Sequence, residues 1–276
     1  MTIGIVGIGL MGGSFAKALK KYRLSSKILG YDHNLEHQKT AINLGLVDEI
    51  CDLDTLKKCD LIVLSIPVDG IIAFSKELDD IGENTTIMDF GSTKELIVKN
   101  IPSNIRANFV AAHPMTGTEK FGPLAAIDGL YENKIVVLCD THENTSYHLG
   151  KVLNIFNTIE MKIIQMDAKE HDIHACYMSH LPHAVSYALA NTVMSHENPN
   201  EIITLAAGGF RDMSRIAKSS PNMWCDIFRQ NRQNLLDSLN IYESKLALLK
   251  EMLQNEDYEN IHKFMAKANT LHDILK

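Results

Sequence analysis

Six residues near the start of the chain, Gly7-Ile8-Gly9-Leu10-Met11-Gly12, spell G-x-G-x-x-G. They follow a β-branched apolar run and open an amphipathic stretch. In that context the spacing binds a dinucleotide. The first glycine permits a tight turn, the second lets a pyrophosphate approach the backbone, and the third lets helix and strand pack closely. The phosphates then face a helix amino terminus, where free N–H groups and the macrodipole favour negative charge. Asp32 ends the next apolar run. A carboxylate there accepts hydrogen bonds from ribose hydroxyls and repels a 2′-phosphate. The residues after it are His33 and Asn34 rather than Arg, so NAD is expected over NADP. A loop-capping aspartate is the plainer alternative.

Three further clusters follow apolar runs: Ser65-Ile66-Pro67, Gly91-Ser92-Thr93-Lys94, and His113-Pro114-Met115-Thr116-Gly117-Thr118-Glu119. In open parallel sheets, ligands bind beyond the carboxyl ends of the strands. All three clusters, with Ser65 and Pro67 in the first, are therefore expected beside the cofactor. His113 is the natural proton carrier, since imidazole titrates near neutral pH. It could equally be a strand-end histidine bonded to backbone. Ser92 could orient His113 or bind a substrate hydroxyl, or it could cap a helix starting at Thr93. Ser179-His180-Leu181-Pro182-His183 sets two histidines three apart on one helical face. No third ligand accompanies them, so no metal is expected. Arg211 and Arg215, four apart in GGFRDMSR, would share a helical face and could bind carboxylates bidentately. Surface ion pairs would explain them as well. Trp224, the one tryptophan, reads as core.

The elements that must position these groups fall into two sets. Up to about residue 165, short apolar runs alternate with amphipathic stretches. The expected strands are Thr2–Val6, Ile28–Tyr31, Leu61–Ile66, Thr85–Asp89, Asn108–Ala112, Ile135–Cys139 and Met161–Gln165. Runs apolar on both faces fit a parallel sheet covered on both sides. The expected fold is therefore a doubly wound, Rossmann-type α/β domain over 1–165, followed by an all-helical domain over 166–276. There His171–Ser195 reads as one long helix kinked by Pro182. Asn222–Asn255 reads as another, opened by Ser220-Pro221. On the second, Leu235, Leu239, Tyr242, Leu246, Leu249 and Leu253 alternate gaps of four and three, a seam for another helix within the chain or across a dimer.

Composition narrows the classes. The 276 residues carry 27 Lys+Arg against 34 Asp+Glu, a net charge of −7, so no nucleic-acid face is expected. Five scattered cysteines without a CxxC pair suit a reducing, cytoplasmic setting. The opening MTIGIVGIGLMGG enters a folded motif directly rather than reading as a signal peptide. No apolar run reaches membrane-spanning length.

The segments IGIVGIGLMGGSFAKAL, VLSIPV, DFGSTK, AAHPMTGTEKFG, SHLPHAVSYAL and GGFRDMSRIAKSSPNMW together resemble the prephenate dehydrogenase family, which includes arogenate and cyclohexadienyl dehydrogenases. The resemblance runs nearly end to end. It implies a homodimer joined through the helical domain, and NAD-dependent oxidative decarboxylation of prephenate to 4-hydroxyphenylpyruvate in tyrosine biosynthesis. It implies neither an appended regulatory domain nor a fused chorismate mutase. It assigns His113 as the base, Ser92 as its support, Arg215 as the substrate anchor, His183 beside the substrate side chain, and Glu119 at the pocket gate. Arg211 stands where the family often has Lys or Arg. Arogenate as the preferred substrate, a 3-hydroxy-acid dehydrogenase using Lys218, and a non-catalytic NAD-binding dimeric sensor are the competing readings.

Overall fold

Strands apolar on both faces must be covered from both sides. In the computed structural model, which describes residues 1–275, they form one eight-stranded sheet. The strands are β1 (Thr2–Val6), β2 (Lys27–Tyr31), β3 (Glu49–Ile50), β4 (Leu61–Leu64), β5 (Thr86–Asp89), β6 (Phe109–Pro114), β7 (Ile135–Cys139) and β8 (Lys162–Met166). Their order is β3-β2-β1-β4-β5-β6-β7-β8, and every neighbouring pair is parallel except β6 and β7. Parallel neighbours need a crossover long enough for a helix. Between β6 and β7 lies only a 3₁₀ turn, Pro123–Ala125, so β7 returns antiparallel.

Helices α1 (Leu10–Lys21), α2 (Leu35–Asn43), α3 (Leu53–Leu56), α4 (Val68–Glu77), α5 (Glu95–Asn100) and α6 (Ser146–Thr158) connect and cover the strands. One core gathers Phe15 of α1, Phe156 of α6, Phe90 and Tyr131, with Phe15 set edge-on to Phe90 at 5.0 Å. The other core joins Ile62, Ile71, Ile97 and Phe109.

The long helix expected over His171–Ser195 is α7 (Ala168–Ala175), a π turn over Cys176–His180, and α8 (Leu181–Met194). Pro182 has no N–H to give the carbonyl four residues before it. The turn loosens at that place, and the Leu181 N–H reaches back five residues to Cys176. Short helices α9 (Pro199–Thr204) and α10 (Gly208–Ser214) follow, with a 3₁₀ turn over Arg215–Lys218.

The single helix expected over Asn222–Asn255 is two: α11 (Pro221–Gln230) and α12 (Arg232–Gln254). The break is Asn231, whose side-chain amide is taken by the Asp172 carbonyl and His180. These bonds outweigh the weak preference for helical continuity. Residues 1–231 form one compact unit, and a second begins at Arg232 with α12 and α13 (Tyr258–Asn269). Among the described residues, no helix is long and apolar enough to cross a membrane.

Candidate active site

The glycine turn has the shape a pyrophosphate needs. Gly7 adopts φ +85°, where a side chain would be strained and would strike Ile66. A Cβ on Gly12 would collide with the Gly7 carbonyl and the Ser65 hydroxyl. A Cβ on Gly9 would meet nothing closer than Gly122 N at 3.9 Å, so open space lies over the start of α1. No side chain caps that helix end. The Asp32 carboxylate is fixed beside the turn, accepting from Ile8 N at 2.9 Å and Asn34 N at 2.9 Å. Its side chain is only 5% exposed. The residues present thus fit a dinucleotide: an open cradle at a helix amino terminus, and a pinned carboxylate for the ribose. The Ser65 hydroxyl lies 2.7 Å from the Gly7 carbonyl and 2.9 Å from that of Val6, so it braces the turn from behind. Pro67 is exposed where α4 begins. Leu10 is buried and Met11 partly so. The Met11 carbonyl accepts from the Tyr131 hydroxyl at 2.7 Å.

His113 stands near the carboxyl end of β6, as expected, but its partner is a side chain, not backbone. Its Nδ1 is 2.8 Å from Nε2 of His171, whose own Nδ1 is 2.8 Å from the Asp172 carboxylate. The carboxylate can only accept, so His171 Nδ1 donates to it. His171 Nε2 is then the acceptor, and His113 Nδ1 donates. The chain of bonds leaves His113 Nε2 as a free lone pair. Burial, then the neighbouring His171, Lys94 and His180, hold the His113 imidazole well below the ordinary histidine range. At neutral pH it is an uncharged base with a fixed tautomer.

Asp172 has a second duty. It accepts from Lys94 N at 2.7 Å and Glu95 N at 3.0 Å, capping α5 from across the fold. Ser92 is therefore not the cap of that helix. It is half-buried in the turn after β5, and its hydroxyl has no hydrogen-bond partner among the described residues.

The π turn places His180 and His183 on the helical side of the site. His180 is buried, and that burial lowers its pKa to about 4. His183 donates Nδ1–H to the Ser179 carbonyl at 2.8 Å, which leaves its Nε2 unprotonated. Its ring stacks on Trp224 with centroids 3.5 Å apart. Burial lowers its pKa, and the Arg215 cation lowers it further. Arg215 is exposed and close enough for that influence. Arg211 is exposed too, and its Nε donates to the Ala206 carbonyl at 3.0 Å. Glu119 is exposed on the loop after β6.

Sequence reasoning missed His171, Asp172 and Asn231; Trp224, read as core, is buried. Trp224 is 5% exposed, yet its Nε1 is buried without a partner. A buried indole N–H lacking an acceptor, stacked on a candidate site histidine, was a signal only the fold could reveal.

Two family models match the chain: the prephenate dehydrogenase nucleotide-binding domain over residues 15–165, and the prephenate dehydrogenase dimerization domain over 167–267. The prephenate dehydrogenase of Bacillus subtilis is 32% identical, over 99% of this chain and 76% of its own length. A cyclohexadienyl dehydrogenase of Zymomonas mobilis is 30% identical, over 99% and 97%. The crystal structure of the Aquifex aeolicus prephenate dehydrogenase in complex with hydroxyphenyl propionate and NAD+ superposes with a TM-score of 0.93 at 34% identity, covering 100% of this chain and 98% of that one. On its fold, its glycine turn and these matches, this chain belongs to the prephenate dehydrogenase family.

Proposed function

We propose that the chain catalyses NAD-dependent oxidative decarboxylation of prephenate to 4-hydroxyphenylpyruvate, carbon dioxide and NADH. The observation that carries this reading is the half-buried His113, neutral and with Nε2 free, at the end of a strand whose following loop runs beside the glycine turn, where a Cβ built on Gly117 would lie 3.9 Å from Met11 Sδ. Gly7, Gly9, Gly12 and Asp32 would hold NAD, which when bound supplies the hydride acceptor. His113 Nε2 accepts the proton of the ring 4-hydroxyl as hydride leaves the same carbon. Loss of the ring carboxylate as carbon dioxide makes the ring aromatic, and the proton returns to the phenol oxygen. Ser92, with an unpaired hydroxyl, positions the 4-hydroxyl against His113. Arg215, with Arg211 beside it, anchors substrate carboxylate, and His183 lies along the side chain. Glu119 is placed at the gate.

The same reading assigns 1–165 to NAD binding and 166–276 to dimerisation and substrate, in a cytoplasmic homodimer. Exposed apolar side chains on α12, among them Leu246 and Leu253 of the seam, support pairing with a second copy.

The direct test is NADH formation with NAD and prephenate, with arogenate and NADP run in parallel. Turnover is expected with prephenate and NAD. Preference for arogenate would move the error to the surroundings of His183. NADH binding without turnover of either acid would replace the enzyme by a sensor. Arg215→Ala is expected to raise the KM for prephenate about 10- to 100-fold, the loss of a charge-assisted contact. Its kcat should stay within a few-fold, and saturation at wild-type prephenate concentrations would remove Arg215 from the binding set.

A further inference from the structure

The backbone ladder between β5 and β6 ends at Met88 and Val110, short of the strand end that carries His113. Beyond it, side chains take over. Asp89 Oδ1 accepts from Ala112 N at 3.2 Å, and Lys94 Nζ donates to the Ala112 carbonyl at 2.8 Å. Asp89 Oδ2 also accepts from Gly91 N at 2.8 Å and pairs with Lys94 Nζ. Both side chains are 0% exposed. Lys94 reaches the other end of the histidine chain as well, since its N–H holds Asp172.

We propose that the buried Asp89–Lys94 pair is a positioning device for the base: it grips Ala112, the residue before His113, by both its N–H and its carbonyl and, through the Lys94 N–H, fixes the carboxylate that orients His171. The proposal rests on His113 being the base. Stability alone does not explain the pair, because apolar residues of similar volume usually serve as well as a buried ion pair or better. Ser92, between Gly91 and Lys94, is held by the same clamp. The charged and titratable groups around His113 are Asp89 and Lys94 from the β5 side, His171 and Asp172 from α7, and His180 from the π turn. The Lys94 side chain disfavours protonation of His113.

The double variant Lys94→Met/Asp89→Leu removes the pair without stranding a charge. Its kcat is expected to fall about 10- to 100-fold through displacement of the base. The KM for prephenate should stay within about threefold, and NADH binding and melting temperature should stay close to wild type. The acid limb of kcat/KM should move little, because anion and cation leave together. Wild-type kcat would overturn the proposal. Lys94→Gln keeps a donor toward Ala112 without the charge. It should move the acid limb to higher pH, because the cation opposing imidazolium has gone while Asp89 stays, with a smaller loss of kcat than in the double variant; an unmoved limb in it counts against the proposal even if the double variant does not fold. His113→Asn, run alongside, separates the two claims. If it is fully active, the base reading itself is wrong; if it is inactive beside a fully active double variant, only the role of the pair is wrong.

Discussion

His113→Asn is expected to lower kcat about 10³-fold, inside the 10²–10⁴ that one well-placed base contributes, with little change in KM. Asparagine can donate a side-chain amide N–H to His171 Nε2 in place of the imidazole Nδ1–H, so the fold around it survives, but it cannot hold the proton released from the 4-hydroxyl. The wild-type pH profile should show the same group. For His113 as the base of the free enzyme, kcat/KM is full while the imidazole is neutral and is lost as pH falls through its pKa. Burial beside His171, Lys94 and His180 depresses that pKa. The acid limb should therefore lie below the ordinary histidine value of 6.5, and it should vanish in His113→Asn. Steady-state kinetics across pH at saturating NAD reads both. A variant with unchanged kcat, or a wild-type profile flat toward acid, would take His113 out of the chemistry.

Asp172→Asn should cost about 10²- to 10³-fold in kcat, of the kind seen where an orienting carboxylate is lost and a histidine takes the wrong tautomer. The side-chain amide would turn an N–H toward one of three donors: His171 Nδ1, Lys94 N or Glu95 N. If it faces His171, that ring must accept through Nδ1 and present Nε2–H toward His113. His113 would then accept through Nδ1 and carry its proton on Nε2, with no lone pair left for the substrate. NADH affinity should hold near wild type, because Asp172 belongs to α7 and not to the glycine turn. A kcat within threefold of wild type would show that the carboxylate caps α5 and does nothing for the base.

Much of this site could be read before folding, and the boundary has a physical cause. The glycine turn, Asp32 and His113 were legible because each is local: a spacing, a strand end, a residue following an apolar run. The seven expected strands appear with ends shifted by a few residues, while the two-residue β3 carries too little pattern to see. The antiparallel return of β7 was readable in principle, since residues 115–134 hold no amphipathic helix. The histidine chain was not. His171 and Asp172 lie 58 residues and more from His113 in the chain and sit on an ordinary helix. A His-Asp dipeptide there has no period that marks it as special. Likewise the α5 cap comes from 77 and 78 residues away, so a local rule nominated Ser92 instead. The end of α11 at Asn231 follows from hydrogen bonds made in the folded chain.

The π turn over Cys176–His180 sets the rotational phase of everything after it. A helical residue turns the chain by about 100° and advances it about 1.5 Å. Wound as an unbroken α-helix of the same length, the segment would swing His183 about 100° away from Trp224 and Arg215. A change that looks harmless to the helix, such as Pro182→Ala, which lets residue 182 regain an α-helical hydrogen bond, would work against the substrate side of the site.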